Sequence, residues 1–91
     1  MKLSSIISLD NLEKLDLHGH DRDYAIMLVN QFIDDMLKMK KANFVIIHGV
    51  GEGILKKATH DTLRKHKRVL DFKIYYYNAG STVVELDLKG L

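Results

Sequence analysis

Apolar residues along the chain change period four times, and each change predicts an element. Leu15 and Leu17 alternate around Asp16, the period of a short strand. From Asp21 to about Lys41, apolar positions fall at Ala25, Leu28, Val29, Phe32, Ile33, Met36 and Met39. Asp23, Asn30, Asp34, Asp35 and Lys38 fill the other side, so the segment predicts an amphipathic helix with Asp21 as its N-cap. "NFVII" at 43–47 is continuously apolar, as an interior strand is. Ile54, Leu55, Ala58, Thr62 and Leu63 mark a second helix from about Gly53 to near Lys67.

The last third alternates. Leu70, Phe72, Ile74 and Tyr76 share one face of a strand, and Asp71, Lys73, Tyr75 and Tyr77 the other. "NAG" at 78–80 has turn chemistry. Beyond it Thr82, Val84, Leu86 and Leu88 alternate with Ser81, Val83, Glu85 and Asp87, which completes a hairpin. Residues 1–12 are expected to be a loosely attached lead-in to a single domain over 13–89, with a frayed end.

The order is β-α-β-α-β-β. Right-handed crossovers that move the same way across a sheet put both helices on one face. The expected fold class is α/β, a two-layer sandwich with a mixed four-stranded sheet of order 1-2-4-3. The sheet face carrying Lys73, Tyr75, Tyr77 and Glu85 is then left to water or a partner.

Ninety-one residues suit one domain. The absence of cysteine excludes a disulfide framework, a thiolate metal site and a cysteine nucleophile, and it suits the cytoplasmic location expected here. No apolar run approaches the roughly 20 residues of a membrane span, and "MKLSSIISLD" lacks the apolar core of a signal peptide. The formal charge is only +2, but it is unevenly spread. Residues 54–73 hold seven cations against Asp61 and Asp71, a net +5, which leaves −3 for the rest. Such a segment is either a solvated helix face or an anion footprint.

Candidate chemistry lies at two corners. His18 and His48, each followed by glycine, stand just past the first two strands, which are predicted parallel neighbours. Ligands favour the crevice at that end of an open α/β sheet. Asp16, His18 and His48 are therefore expected within reach of one substrate group, with His20 outlying. A plainer reading makes each histidine a hydrogen-bonded corner residue and Asp16 an exposed polar position. His18, His20 and His48 could also ligate a divalent ion, although their spacing is not diagnostic. In "HGVGEGILKK", Gly49, Gly51 and Gly53 precede a helix whose first turns carry Lys56 and Lys57. Glycine permits positive φ and close backbone approach, and the amides of a helix start attract phosphate. Gly51 is expected to need that freedom. The spacing fits neither a Walker loop nor the dinucleotide fingerprint, so a phosphodiester backbone fits better than a free nucleotide.

"LDLHG" at 15–19, "IIHGVGEGILK" at 46–56 and "GSTVVEL" at 80–86 together resemble the three signatures of the Smr (small MutS-related) domain family, over about residues 14–88. The resemblance implies the fold of the C-terminal domain of translation initiation factor 3. It implies nucleic-acid binding and, in many members, endonuclease activity on RNA or DNA. It assigns Asp16 and His18 to cleavage, and His48, Gly49, Gly51 and Gly53 to substrate binding with a part in catalysis.

The expected mechanism docks a phosphodiester between the corners, held by the three glycine amides with Lys56, Lys57 and Arg64. His18 or His48 serves as general acid or base, a role suited to imidazole. Asp16 orients the imidazole or contributes to a metal site. RNA supplies a 2′-hydroxyl nucleophile, whereas DNA needs water and makes Mg²⁺ or Mn²⁺ the expected cofactor. The expected partner is RNA or DNA, with no membrane and no small-molecule cofactor. The alternative is a non-catalytic module that binds structured RNA or a ribosome. A small-molecule phosphate enzyme fits less well, because such ligands favour enclosed pockets.

Overall fold

In a computed structural model, which describes residues 2–3 and 9–91, the elements follow the expected order. They are β1 (Glu13–Asp16), α1 (Arg22–Lys38), β2 (Asn43–Ile47), α2 (Ile54–Lys65), β3 (Val69–Tyr75) and β4 (Asn78–Leu86). The sheet order is β1-β2-β4-β3, with β1 parallel to β2 and β4 antiparallel to both of its neighbours. Among the described residues, no helix is long and apolar enough to cross a membrane.

Local chemistry sets the limits of α1. The Asp21 carboxylate accepts from the Tyr24 amide at 2.8 Å, which caps the helix start. The other end stops at Met39, sooner than the apolar pattern suggests. Lys40 takes φ 55°, and the amides of Lys40 and Lys41 donate back to the carbonyls of Leu37 and Met36 at 3.1 and 2.9 Å. This is the Schellman arrangement, with lysine in the place that usually falls to glycine.

Both helices cover one sheet face. Ala25, Val29, Ile33 and Met36 of α1 and Leu63 of α2 bury against Leu17, Phe44, Ile46, Val84 and Leu86. Phe32 meets Phe44 edge-on at 5.2 Å. The opposite face is not left wholly to solvent. Leu3, in the segment expected to attach loosely, buries against Val45 and Val83, with Leu9 and Tyr75 beside them. Residues 4–8 of that segment lie outside the described residues.

The hairpin departs from the expected one. Tyr76 and Tyr77 form the turn, and Asn78–Gly80 belong to β4. Ile74 pairs with Thr82 and Tyr75 with Asn78, so Ala79, Gly80 and Ser81 bulge out of register. Asn78 Oδ1 accepts from the Gly80 amide at 3.0 Å. The chemistry read as a turn thus builds a bulge, because Asn and Gly favour both. A second irregularity between Val69 and Asp71 turns Leu70 outward, 60% exposed, rather than onto the helices.

Candidate nucleic-acid interface

β1 and β2 end side by side, with Asp16 opposite Ile47. The Leu17 amide still donates to the Ile47 carbonyl at 2.9 Å, and there the first corner begins. Asp16 Oδ1 accepts from the His18 backbone amide at 2.9 Å. The carboxylate therefore fixes the turn that carries His18 and does not hold the imidazole itself. Asp16, His18, Gly19, His48, Gly49 and Leu55 line an open cleft of about 360 Å³. His20 is not among the cleft's lining residues; its ring rests on Tyr24 at 4.9 Å.

The second corner is held from the hairpin. The amides of His48 and Gly49 both donate to the Gly80 carbonyl at 2.9 Å. A Cβ on Gly80 would meet Gly49 Cα at 3.2 Å, so any larger residue would press on the glycine loop. Positive φ occurs at Gly49 (80°) and Gly53 (81°) and not at Gly51, where a Cβ would also find open space. The backbone freedom of glycine is thus needed at Gly49 and Gly53 and not at Gly51, contrary to expectation. Gly53 opens α2 without a side-chain cap, and the first helical bond runs from the Lys57 amide to Gly53. The amides before Lys57 have no partner within the helix and are available to an anion.

His48 is buried, at 6% exposure. Its Nδ1 lies 2.8 Å from the Gly49 carbonyl, which can only accept, so Nδ1 carries the proton. Nε2 lies 2.7 Å from the Thr82 hydroxyl and must accept from it while the ring is neutral. Thr82 in turn accepts from His60 Nε2–H at 2.8 Å. A directed chain results, from His60 through Thr82 to His48 and the glycine loop. Burial holds the His48 pKa below the usual histidine range; the bond to Gly49 opposes this shift, and the Lys56 cation adds to it. Burial also lowers that of His60, reinforced by His48, Lys56 and Arg64 against the opposing charge of Asp61. Both ring nitrogens of His48 are engaged, so of the two imidazoles lining the cleft His18 is the one with neither ring nitrogen so tied among the described residues.

The basic face of α2 is partly neutralised. Asp61 pairs with Lys57 and with Arg64, both at 3.0 Å, and these contacts hold its carboxyl below the usual range. Lys56 has no ion pair among the described residues. Arg64 also lies over the Phe72 ring at 5.6 Å. Gly53, Lys56, Lys57, His60, Asp61 and Arg64 line a groove of about 370 Å³. A smaller groove over the glycine loop shares His48, Gly49 and Leu55 with the cleft and Gly53 with the α2 groove, so the three adjoin one another.

His60, Thr82 and Gly80 went unassigned in the sequence. His60 stands four residues after Lys56 and four before Arg64, one face of a helix, which was the available signal. Thr82 sat inside the third signature without a role. Among the described residues, no group of three or more His, Asp or Glu side chains is placed to hold a metal ion, so His18, His20 and His48 do not assemble as a ligand set.

Fold and site together define a small two-layer α/β domain with a glycine-rich loop and a basic helix face at the carboxyl end of its parallel strands. The chain belongs to the Smr domain family, whose model matches residues 15–87. It is 33% identical over 86 residues to the endonuclease MutS2 of Clostridium beijerinckii, covering 92% of this chain and 11% of that protein. To the endonuclease MutS2 of Brevibacillus brevis it is 37% identical over 81 residues, covering 85% and 10%. The chain thus spans about a tenth of the length of these relatives. Among solved structures, the Smr domain of Thermus thermophilus MutS2 matches with a TM-score of 0.80 at 29% identity, covering 82% of this chain and 98% of that one. YdaL of Escherichia coli, a stand-alone small MutS-related protein, shares the fold with a TM-score of 0.78 at 22% identity, covering 81% and 63%.

Proposed function

We propose that this domain binds nucleic acid along the track from His18 to Arg64 and cleaves a phosphodiester beside His18. One observation carries the reading: the β1 corner, the glycine loop and the cationic face of α2 line three adjoining grooves. The relatives named endonuclease MutS2 support it.

In this reading the uncapped amides of α2 and the Lys56 ammonium hold the phosphate. The His18 imidazole takes a proton from the attacking hydroxyl, either the 2′-OH of RNA or a water. That oxygen bonds to phosphorus as the phosphorus–oxygen bond to the leaving nucleotide breaks; water protonates the departing oxygen, and the imidazolium returns its proton to solvent. Asp16 positions His18 through its backbone amide. His48, engaged at both nitrogens, shapes the glycine loop.

The test is a cleavage assay on single-stranded RNA, structured RNA and plasmid DNA, with chelator, Mg²⁺ or Mn²⁺. Cleavage by wild type that is lost in His18→Ala, with binding kept, is the expected result. Binding without cleavage under every condition would leave the non-catalytic module. The engagement of both His48 nitrogens favours that second reading, because it leaves one imidazole where acid–base chemistry often uses two groups.

A further inference from the structure

Tyr76 and Tyr77, the two turn residues of the β3–β4 hairpin, are 89% and 73% exposed. Turn chemistry does not ask for them, since two-residue hairpin turns favour Asn, Asp and Gly. The core does not ask for them either. Yet their rings are in contact: Tyr76 stands edge-on to Tyr77 with centroids 4.9 Å apart, and Tyr77 meets Tyr75 at 5.6 Å. Tyr75 packs against the Leu3, Val45 and Val83 cluster behind the sheet. An inner ring rooted in the fold thus supports two outer rings that face solvent.

Their position gives the feature a use. β2 runs antiparallel to β4 with Ile47 opposite Ser81, so the hairpin tip projects over the same sheet edge as the glycine loop. Gly80 bonds the loop directly, through the amides of His48 and Gly49. Gly80 is three steps along the chain from Tyr77, a span of at most about 11 Å. A strand whose phosphate lies at the glycine loop would pass the same end of the sheet from which the two rings project.

We propose that Tyr76 and Tyr77 form a base-stacking platform beside the phosphate cradle, and that it makes the site selective for single-stranded nucleic acid. The proposal rests on the nucleic-acid reading above. A base offers its π-face to an aromatic side chain only when it is out of the duplex stack, whereas phosphates are presented by single and double strands alike. The cradle therefore supplies affinity for both forms, and the tyrosines add to one of them.

The test compares binding of a labelled single-stranded oligonucleotide, the same strand with abasic sites, and its duplex, by fluorescence anisotropy. Tyr76→Ala with Tyr77→Ala should weaken single-strand binding by roughly five- to one-hundredfold, from the measured range for one stacked base. Duplex affinity should stay unchanged. Phenylalanine at both positions should retain wild-type affinity, because stacking does not need the hydroxyl. The abasic strand should bind wild type as weakly as the intact strand binds the double-alanine variant. Tyr76→Ala alone, at the more exposed position, gives the same sign without disturbing the Tyr75–Tyr77 contact. Unchanged single-strand affinity in the double-alanine variant, with Lys56→Ala still weakening it, would overturn the platform and leave the nucleic-acid reading standing. Failure of wild type to bind any oligonucleotide would overturn both. Self-association of wild type that the alanines abolish, with oligonucleotide affinity unmoved, would assign the rings to a second copy and overturn the platform.

Discussion

Replacing Thr82 by valine removes one oxygen and nearly preserves shape. Thr82 is fully buried, and its hydroxyl lies 2.7 Å from His48 Nε2 and 2.8 Å from His60 Nε2. Both residues are β-branched and suit a strand, so β4 should persist. The loss is the centre of the hydrogen-bond chain. His48 Nε2 would face a methyl group with its lone pair buried, and an orphaned buried polar group costs about 1–3 kcal/mol. His60 lines the open groove and can turn to water, so it adds less. A net loss of about 2 kcal/mol corresponds to a fall in Tm of about 8–16 °C for a domain of this size. Thr59→Val is the matched control. Thr59 is also buried, but its hydroxyl has no hydrogen-bond partner among the described residues. The same chemical change there removes a desolvated group and orphans nothing, so stability should hold or rise by up to about 1 kcal/mol. Thermal melts of the three proteins decide the matter. A Thr82→Val midpoint within about 2 °C of wild type, or an equal fall for Thr59→Val, would refute the reasoning.

Acid should weaken the fold through the same chain: His48 and His60 titrate below the usual histidine range, so the unfolded chain binds more protons from about pH 7 downward. Stability is then full above about pH 7 and falls as pH drops through the lowered folded values; melts should show this, with a smaller difference in His60→Gln. Asp61 and Glu13, both lowered by lysine partners, lose their contribution only further down, in the carboxylate range. Gly49→Ala should cost about 1–2 kcal/mol in denaturant titrations, because an L-residue at that φ is strained, whereas Gly51→Ala should be close to neutral. Lys56→Ala should reduce the slope of log affinity against log salt for a single strand by about 0.7, and Lys57→Ala by less, since Lys57 is already paired with Asp61. Lys40→Gly should raise stability by about 1 kcal/mol, read from thermal melts, by relieving the left-handed residue after α1.

The elements and their order were legible because each depends on neighbours near in sequence. The helix period over 25–36 and the unbroken apolar run at 43–47 are local patterns, and right-handed crossovers then leave few ways to assemble them. The meeting of Asp16, His18 and His48 followed from the same rule, since parallel neighbours present their carboxyl ends together. Details set by pairing over distance were not legible. Asn78–Gly80 suits a turn or a bulge equally, and the bonds from Gly80 to the His48 and Gly49 amides, more than thirty residues away, are made by the bulge. Leu70 faced the helices by simple alternation until an irregularity in β3 turned it outward. The state of His48 depends on Ile46 lying opposite Thr82 and on α2 laying His60 over that same threonine. A local pattern identifies an imidazole at a strand end. Which atoms occupy its two nitrogens depends on register and helix packing, where a shift of one residue turns every side chain of a strand to the other face.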